Sequence, residues 1–139
     1  PYVIEYNVRM GDPESEVVLP RIKSDLLELL FSVSNGELSN HQIVIDDKKA
    51  ATVFLVSGGY PEQYEKGKEI YGLDTISDSI LFHAGAKYEN GKVKTNGGRV
   101  IAVTSMGDSI KKAVSKSYES INKIKFDKMN YRRDIGFDL

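Results

Sequence analysis

Three polar side chains alternate near the start of the chain: Glu5, Asn7 and Arg9. Successive side chains of a β-strand point to opposite faces, so an extended segment would place these three on one face. Carboxylate and amide oxygens are hard ligands that suit Mg²⁺ on nucleotide phosphates, and a guanidinium can bind phosphate or carboxylate oxygens. The spacing is therefore consistent with a metal–phosphate site, although the solvated outer face of a strand would show the same alternation.

The elements that would position these residues are a strand and the helix after it. The intervening positions are apolar, which predicts a strand over residues 1–10; they are Ile4, Tyr6, Val8 and Met10. The following Gly-Asp-Pro-Glu predicts a helix start, with Asp12 as N-cap and Pro13 at the first helical position. Glu14 would lie in the first turn, where the helix dipole favours a carboxylate.

Helical spacing then continues to about residue 34. The apolar residues at this spacing are Leu19, Ile22, Leu26, Leu29, Leu30 and Val33. Pro20 interrupts the pattern and predicts a kink, or a short helix followed by a longer one that begins near Pro20. Asn35-Gly36 predicts the helix end.

The remainder of the sequence has the pattern of a small antiparallel β-module closed by a helix. Strands are predicted at "HQIVI" (41–45), "ATVFLV" (51–56) and "SILFHA" (79–84), and one or two more in "VKTNGGRVIAVTSMG" (93–107). "DDKK" and "GGYP" predict turns, and "ENGK" predicts a hairpin. Asp108 is the predicted cap of a helix, and the tail "YRRDIGFDL" is expected to be irregular. The apolar face of that helix comprises Ile110, Ala113, Val114, Tyr118, Ile121 and Ile124.

Composition narrows the function classes. The chain has 139 residues, of which 40% are hydrophobic and 28% charged, as in a globular protein. Nineteen basic and twenty acidic side chains give a net charge of -1, so nucleic acid and anionic membrane are not expected partners. The sequence contains no Cys and two His, which argues against thiolate or histidine-rich metal sites and is compatible with a reducing cytoplasm.

Common nucleotide-binding motifs are missing. A Walker loop requires Gly where Glu62 stands and Ser or Thr where Glu69 stands, around Gly67-Lys68. No G-x-G-x-x-G fingerprint occurs. Gly58-Gly59 and Gly97-Gly98 are interpreted as turn glycines, and His83 as a packed or hydrogen-bonded structural residue.

Several segments in order resemble the glycinamide ribonucleotide synthetase (phosphoribosylamine–glycine ligase) family. They are "EYNVRMGDPE", "GGYPEQYEKGKEI", "ILFHAG", "TNGGRVIAV" and "YRRDIG". The resemblance implies an α+β fold: residues 1–36 would be the final strand and helix of an ATP-grasp domain. Residues 37–139 would be the C-terminal domain, a small antiparallel β-barrel-like module (a rudimentary single hybrid motif) with a closing helix.

The resemblance also implies chemistry. Members use ATP to convert glycine to glycyl phosphate, which phosphoribosylamine attacks in purine biosynthesis. By position, Glu5 and Asn7 match the metal ligands for Mg²⁺ or Mn²⁺, and Arg9 would neutralise the transferring phosphoryl group. Asp12, read first as a cap, and Glu14 become candidate substrate contacts at a helix N-terminus. Arg99 is the candidate anion-binding residue of the C-terminal module, with a structural salt bridge as its alternative.

Three alternatives to a catalytic part of the ligase remain: a module that acts only by docking, a carrier domain, and a general small-ligand binding domain. A carrier needs a Lys at a hairpin tip flanked by Met, and "TNGGRV" presents Arg instead. The family's N-terminal and remaining ATP-grasp portions do not occur in this sequence, and the chain begins with Pro1. We therefore expect a C-terminal part of a longer, cytoplasmic polypeptide that is inactive by itself.

Overall fold

The computed structural model describes residues 2–139. These residues form three α-helices and five strands, in the order α1 (Ser15–Val18), α2 (Leu26–Ser34), β1 (Lys49–Val56), β2 (Ile80–His83), β3 (Ala86–Glu89), β4 (Lys92–Thr95), β5 (Arg99–Gly107) and α3 (Ile110–Ile121). Short 3-10 turns occupy Leu19–Arg21, Leu38–Asn40 and Leu73–Thr75. No helix among the described residues is both long enough and apolar enough to cross a membrane.

Strand β5 is the centre of the fold. It pairs antiparallel with β1 on one side and β2 on the other, and it is buried along nearly its whole length. Helix α3 packs on β1 and β5. The core lies within residues 53–126 and consists of Val53, Leu55, Ile70, Val100, Ile101, Val103, Ile121, Ile124 and Phe126. The predicted antiparallel module with a helix after its last long strand is therefore confirmed.

The hairpin predicted at "ENGK" joins β3 to β4. Asn90 and Gly91 occupy its two central positions with φ values of 52° and 77°. Positive φ at both positions defines the turn whose twist matches that of paired strands, and Asn-Gly adopts it at low cost. The predictions at residues 51–56 and 79–84 and the irregular tail are also confirmed.

The predicted opening strand does not form in this chain. Residues 2–10 belong to no helix or strand. The polar side chains and the apolar side chains of this segment are both exposed, including Ile4 at 96% and Val8 at 95%. A strand requires a neighbour for its N–H and C=O groups, and no described strand lies beside this segment. Pro1, the first residue of the predicted strand, lies outside the described residues.

The segment 41–45 is also not a strand. It is limited to a single antiparallel bridge between Ile45 and Ile22, flanked by hydrogen bonds from Lys23 N to Val44 O (2.8 Å) and from Asp46 N to Arg21 O (2.7 Å). Its three consecutive apolar residues, Ile43, Val44 and Ile45, remain about half exposed because only a short stretch of chain pairs with them.

Two predictions for the helices within residues 12–36 require correction. Asp12 is not an N-cap: α1 begins at Ser15, with Glu14 in the cap position and no side-chain cap bond. The longer helix does not begin near Pro20, because Ile22 is extended and the Asp25 carboxylate caps α2 by accepting from Glu28 N at 3.1 Å. Its predicted end at Asn35-Gly36 is confirmed, with Gly36 at φ 73°.

The cap of α3 differs by one residue from its prediction. Ser109, rather than Asp108, precedes the helix in extended conformation and accepts a hydrogen bond from Lys112 N at 3.2 Å. Asp108 instead pairs with the Lys112 ammonium at 2.9 Å. The sequence offered two adjacent capping residue types, and the extended backbone at Ser109 decided between them.

Candidate functional site

The polar residues of the opening segment are exposed and only partly brought together. Asn7 Nδ2 donates to Glu5 Oε1 at 3.1 Å, so these two side chains lie on the same side of the chain. Arg9 Nη1 instead donates to the main-chain oxygen of Met10 at 3.3 Å. Carboxylate and amide oxygens two residues apart fit a hard divalent cation as a partial ligand set. No group of three or more His, Asp or Glu that could hold a metal occurs among residues 2–139.

Glu14 folds back on the turn that precedes α1. Its Oε2 accepts from Gly11 N at 2.6 Å, and Ser15 N donates to Gly11 O at 3.2 Å. A Cβ built at Gly11 would lie 2.8 Å from Glu14 Oε2, so the absence of a side chain makes this contact possible. The carboxylate therefore acts in this structure as a turn-forming acceptor.

Asp12 and Arg99, which are 87 residues apart in sequence, form an ion pair. Arg99 Nη2 donates to Asp12 Oδ2 at 2.9 Å, and Arg99 Nη1 donates to the Asp12 main-chain oxygen at 3.3 Å. The guanidinium carbon also lies 5.4 Å from the centre of the Phe54 ring, within the range of a cation–π contact. Arg99 therefore forms a salt bridge in this structure, as its alternative role proposed, and the Asp12 carboxylate is engaged in this pair rather than at the start of the helix.

Arg99 lies at an irregularity in the sheet. The β1–β5 register shifts between Leu55 and Val56, so that Val56 stands opposite Arg99. Such bulges bend a strand and re-aim a side chain, and they are common beside sites. This irregularity is not encoded in any motif that we identified in the sequence.

A cavity of about 530 Å³ lies beside this ion pair. The half-buried face of β1 contributes Thr52, Phe54 and Val56, since alternate residues of a strand share a face. The wall is completed by Pro13, Tyr60, Arg99, Asn130, Tyr131, Arg132 and Ile135. An apolar floor with two guanidinium groups at its border is suited to an anionic organic ligand.

The cavity contains residues that the sequence reasoning missed. Arg132 belongs to the tail, and its guanidinium forms a two-pronged pair with Asp134, both N···O distances being 2.9 Å. Hydrogen bonding to Arg132 holds the pKa of the Asp134 carboxyl below its usual value. The adjacent arginines of "YRRDIG" were a possible signal in an otherwise irregular tail.

The prediction that His83 is a packed or hydrogen-bonded structural residue is wrong, because His83 is exposed at the end of β2. Gly59 does occupy a turn, with φ 97°. Gly97 and Gly98 lie in the bend between β4 and β5, where the surrounding chain is crowded: a Cβ at Gly98 would overlap the Tyr60 ring.

Comparison with known proteins gives a consistent result. Residues 50–138 match the family model "Phosphoribosylglycinamide synthetase, C domain". The chain is 48% identical over 139 residues to phosphoribosylamine–glycine ligase of Fusobacterium nucleatum, covering 97% of this chain and 33% of that protein. It is 43% identical to the enzyme of the same name in Caldanaerobacter subterraneus, and this match covers 98% of this chain and 33% of that protein. It is 47% identical to a bifunctional purine biosynthetic protein of Schizosaccharomyces pombe, and this match covers 98% of this chain and 17% of that protein.

A solved structure agrees with these relatives. The crystal structure of phosphoribosylamine–glycine ligase from Thermotoga maritima superimposes on this chain with a TM-score of 0.76 and 35% sequence identity. The match covers 96% of this chain and 33% of the Thermotoga chain. This chain therefore spans about a third of the length of the curated ligases that it matches.

Proposed function

The chain belongs to the phosphoribosylglycinamide synthetase C-domain family, and we propose from this premise that it is the C-terminal part of a phosphoribosylamine–glycine ligase. The observation that carries the proposal is similarity to such ligases over 97% of the chain, which extends well beyond the residues 50–138 of the family match. Residues 37–139 would be the C domain with its barrel-like module, and residues 1–36 would be the end of an ATP-grasp domain. The position of the core within residues 53–126 supports this division.

The proposed reaction of the complete enzyme has two steps. The terminal phosphoryl group of ATP is transferred to the glycine carboxylate, giving glycyl phosphate and ADP. The amine of phosphoribosylamine then attacks the carbonyl carbon, phosphate leaves, and the amine loses a proton as glycinamide ribonucleotide forms. Such transfer depends mainly on positioning and on neutralising the charge of the phosphoryl group. This chain alone would not perform it.

The residues of this chain would take separate roles. Glu5 and Asn7 would hold Mg²⁺ or Mn²⁺, which would neutralise ATP phosphate charge when bound. The hydrogen bond from Arg9 to the Met10 carbonyl is long and exposed. The Arg9 guanidinium would therefore turn from that carbonyl toward the transferring phosphoryl group. Arg99 would bind an anionic substrate group in competition with the Asp12 carboxylate, while Glu14 would shape the turn that carries Asp12.

A docking module that takes no part in the chemistry is the second candidate. Helix α2 supports it, because most of its apolar side chains are exposed, including Leu27 at 76% and Phe31 at 67%. Exposed apolar surface of this kind is typical of a surface that is covered in a larger assembly. The two candidates differ in whether the opening segment carries catalytic groups.

Substitution of Glu5 in the intact ligase distinguishes them. Glu5→Gln retains the shape and removes the charge, so kcat should fall by about a hundredfold or more, whereas glycine affinity should change less. Arg9→Lys should also be severe, because it loses the two-pronged geometry. Tyr6→Phe, at the intervening position, is the control and should leave turnover nearly unchanged. Normal turnover in Glu5→Gln together with a defect in Tyr6→Phe would contradict the catalytic assignment and favour docking alone.

A further inference from the structure

The bend that precedes Arg99 is fixed through its main-chain carbonyls. Gly97 O accepts from Ser57 Oγ at 2.8 Å, and Gly98 O accepts from Ser57 N at 2.8 Å. The next carbonyl, that of Arg99, accepts from Gly85 N at 2.7 Å. Three successive carbonyls are thus bonded to two other segments, and Ser57 alone supplies two of the donors. The backbone at Arg99 is therefore tied to the loop that follows β1.

Tyr60 closes the same loop over Gly98. A Cβ at Gly98 would overlap the Tyr60 ring, so the ring occupies the space of the missing side chain. Gly98 does not have a positive φ, and glycine is therefore required there for room rather than for backbone conformation. The Tyr64 ring supports Tyr60 edge-on with a centroid distance of 6.1 Å. Among the described residues the Tyr60 hydroxyl forms no hydrogen bond, so its role is the packing of the ring.

We infer that Tyr60 is a positioning residue for Arg99. Its ring presses on Gly98 while Ser57 holds the carbonyls on either side, and together they fix the point from which the Arg99 guanidinium reaches the cavity. Tyr60 and Arg99 both line that cavity, and Arg99 is additionally placed over Phe54. The inference rests on the proposed role of Arg99 in binding an anionic substrate group.

Steady-state kinetics of the intact ligase test the inference. Arg99→Ala first identifies which of the three substrates (ATP, glycine or phosphoribosylamine) Arg99 binds, through the KM that rises. Tyr60→Ala should raise the KM of the same substrate about tenfold with a smaller change in kcat, because the guanidinium is displaced rather than removed. Tyr60→Phe retains the ring and should bring that KM to within about twofold of the unmodified enzyme. The matched control is Tyr88→Ala, an exposed tyrosine on β3, which should leave all three KM values unchanged.

The double variant Tyr60→Ala/Arg99→Ala separates positioning from a general structural effect. If Tyr60 acts through Arg99, adding Tyr60→Ala to Arg99→Ala should raise the KM no further. A multiplicative increase, an effect on a different substrate, or a Tyr60→Phe enzyme as impaired as Tyr60→Ala would overturn the inference. If Arg99→Ala itself changes no KM, the proposed role of Arg99 fails, and the substrate role of Tyr60 fails with it. If only Arg99→Ala raises a KM, the inference about Tyr60 fails alone.

A stability measurement tests the packing independently of activity. Gly98→Ala should lower the thermal unfolding midpoint of the intact ligase, because the new methyl group would overlap the Tyr60 ring. The same substitution in a Tyr60→Ala background should lower the midpoint much less, since the space is then vacant. Equal decreases in both backgrounds would show that the ring does not hold Gly98, and would overturn the inference even if the kinetic variants failed to fold.

Discussion

At the scale of single residues, two glutamates each form ion pairs with two lysines. Glu65 pairs with Lys68 at 2.6 Å and with Lys128 at 2.9 Å, which links the loop after β1 to the segment after α3. Glu89 pairs with Lys87 of its own strand β3 at 2.8 Å and, across the hairpin, with Lys94 of β4 at 2.9 Å. Hydrogen bonds to the lysines lower the pKa of each carboxyl from its ordinary 4.5 to about 2.

These pairs predict a stability loss in acid. Because the folded pKa values lie below the unfolded ones, the stabilisation is complete above pH 4.5 and is lost as the pH falls from about 4.5 toward 2. Thermal unfolding midpoints measured across this range should therefore decrease, and Glu65→Gln or Glu89→Gln should reduce the decrease. Glu65 is exposed and Glu89 is half-buried, so both pairs remain within reach of solvent ions and added salt should weaken the effect.

The control for this prediction is Glu62→Gln. Glu62 lies three residues from Glu65 but forms no ion pair within residues 2–139. Its substitution should leave the pH dependence unchanged. The prediction is wrong if Glu62→Gln and Glu65→Gln alter the acid decrease equally.

At the scale of elements, α3 shows how one cap residue sets a helix boundary. The first N–H groups of a helix have no partners within it, and the Ser109 hydroxyl supplies one to Lys112 N. Four further serines form hydrogen bonds where the helix meets the sheet. Ser117 Oγ donates to Ser105 Oγ at 3.0 Å, and Ser79 Oγ shares hydrogen bonds with Ser105 Oγ (2.7 Å) and Ser120 Oγ (2.6 Å). This hydroxyl network satisfies polar groups that the burial of α3 would otherwise leave without partners.

Ser109→Ala should destabilise the chain by about 1 kcal/mol, the usual contribution of an N-cap side chain. The measurement is the free energy of unfolding by urea. Asp108→Ala is the matched control: it removes only an exposed ion pair with Lys112, and because exposed pairs contribute little to stability its effect should be the smaller one. If Asp108→Ala instead lowered the free energy of unfolding more than Ser109→Ala, Asp108 would be the functional cap.

At the scale of the whole molecule, stability is unevenly distributed. The core is built from β1, β5, α3 and the segments that follow β1 and α3, whereas residues 2–10 contribute no buried side chain. Amide groups with neither a hydrogen bond nor burial exchange with solvent through local motions.

Amide hydrogen exchange of the chain should therefore separate two regions. Amides of β5 and α3 should be strongly protected, while those of residues 3–9 should exchange rapidly. Because an unpaired segment can pair with a second molecule, the measurement should be repeated at two protein concentrations. Strong, concentration-independent protection of residues 3–9 in a monomer would contradict this arrangement.

The sequence by itself determined most elements of the β-module. Alternation and buried apolar runs located β1, β2 and β5, and Asn90-Gly91 located the hairpin, because these signals depend on neighbouring residues and local backbone preference. The strand predictions failed at residues 2–10 and 41–45, where the local pattern is that of a strand but forming one requires a partner. That requirement is a property of tertiary structure.

For the candidate site, too, the sequence indicated individual residues and the tertiary structure decided their contacts. Residue types and spacing, together with family resemblance, pointed to Glu5, Asn7, Arg9, Asp12, Glu14 and Arg99. Only the tertiary structure brought Asp12 to Arg99, and placed Tyr60 on Gly98 and Arg132 beside the same cavity. The reason is physical: contacts between residues 38 to 87 positions apart depend on how β1, β5 and the tail fold together, and no periodicity along the chain records that distance.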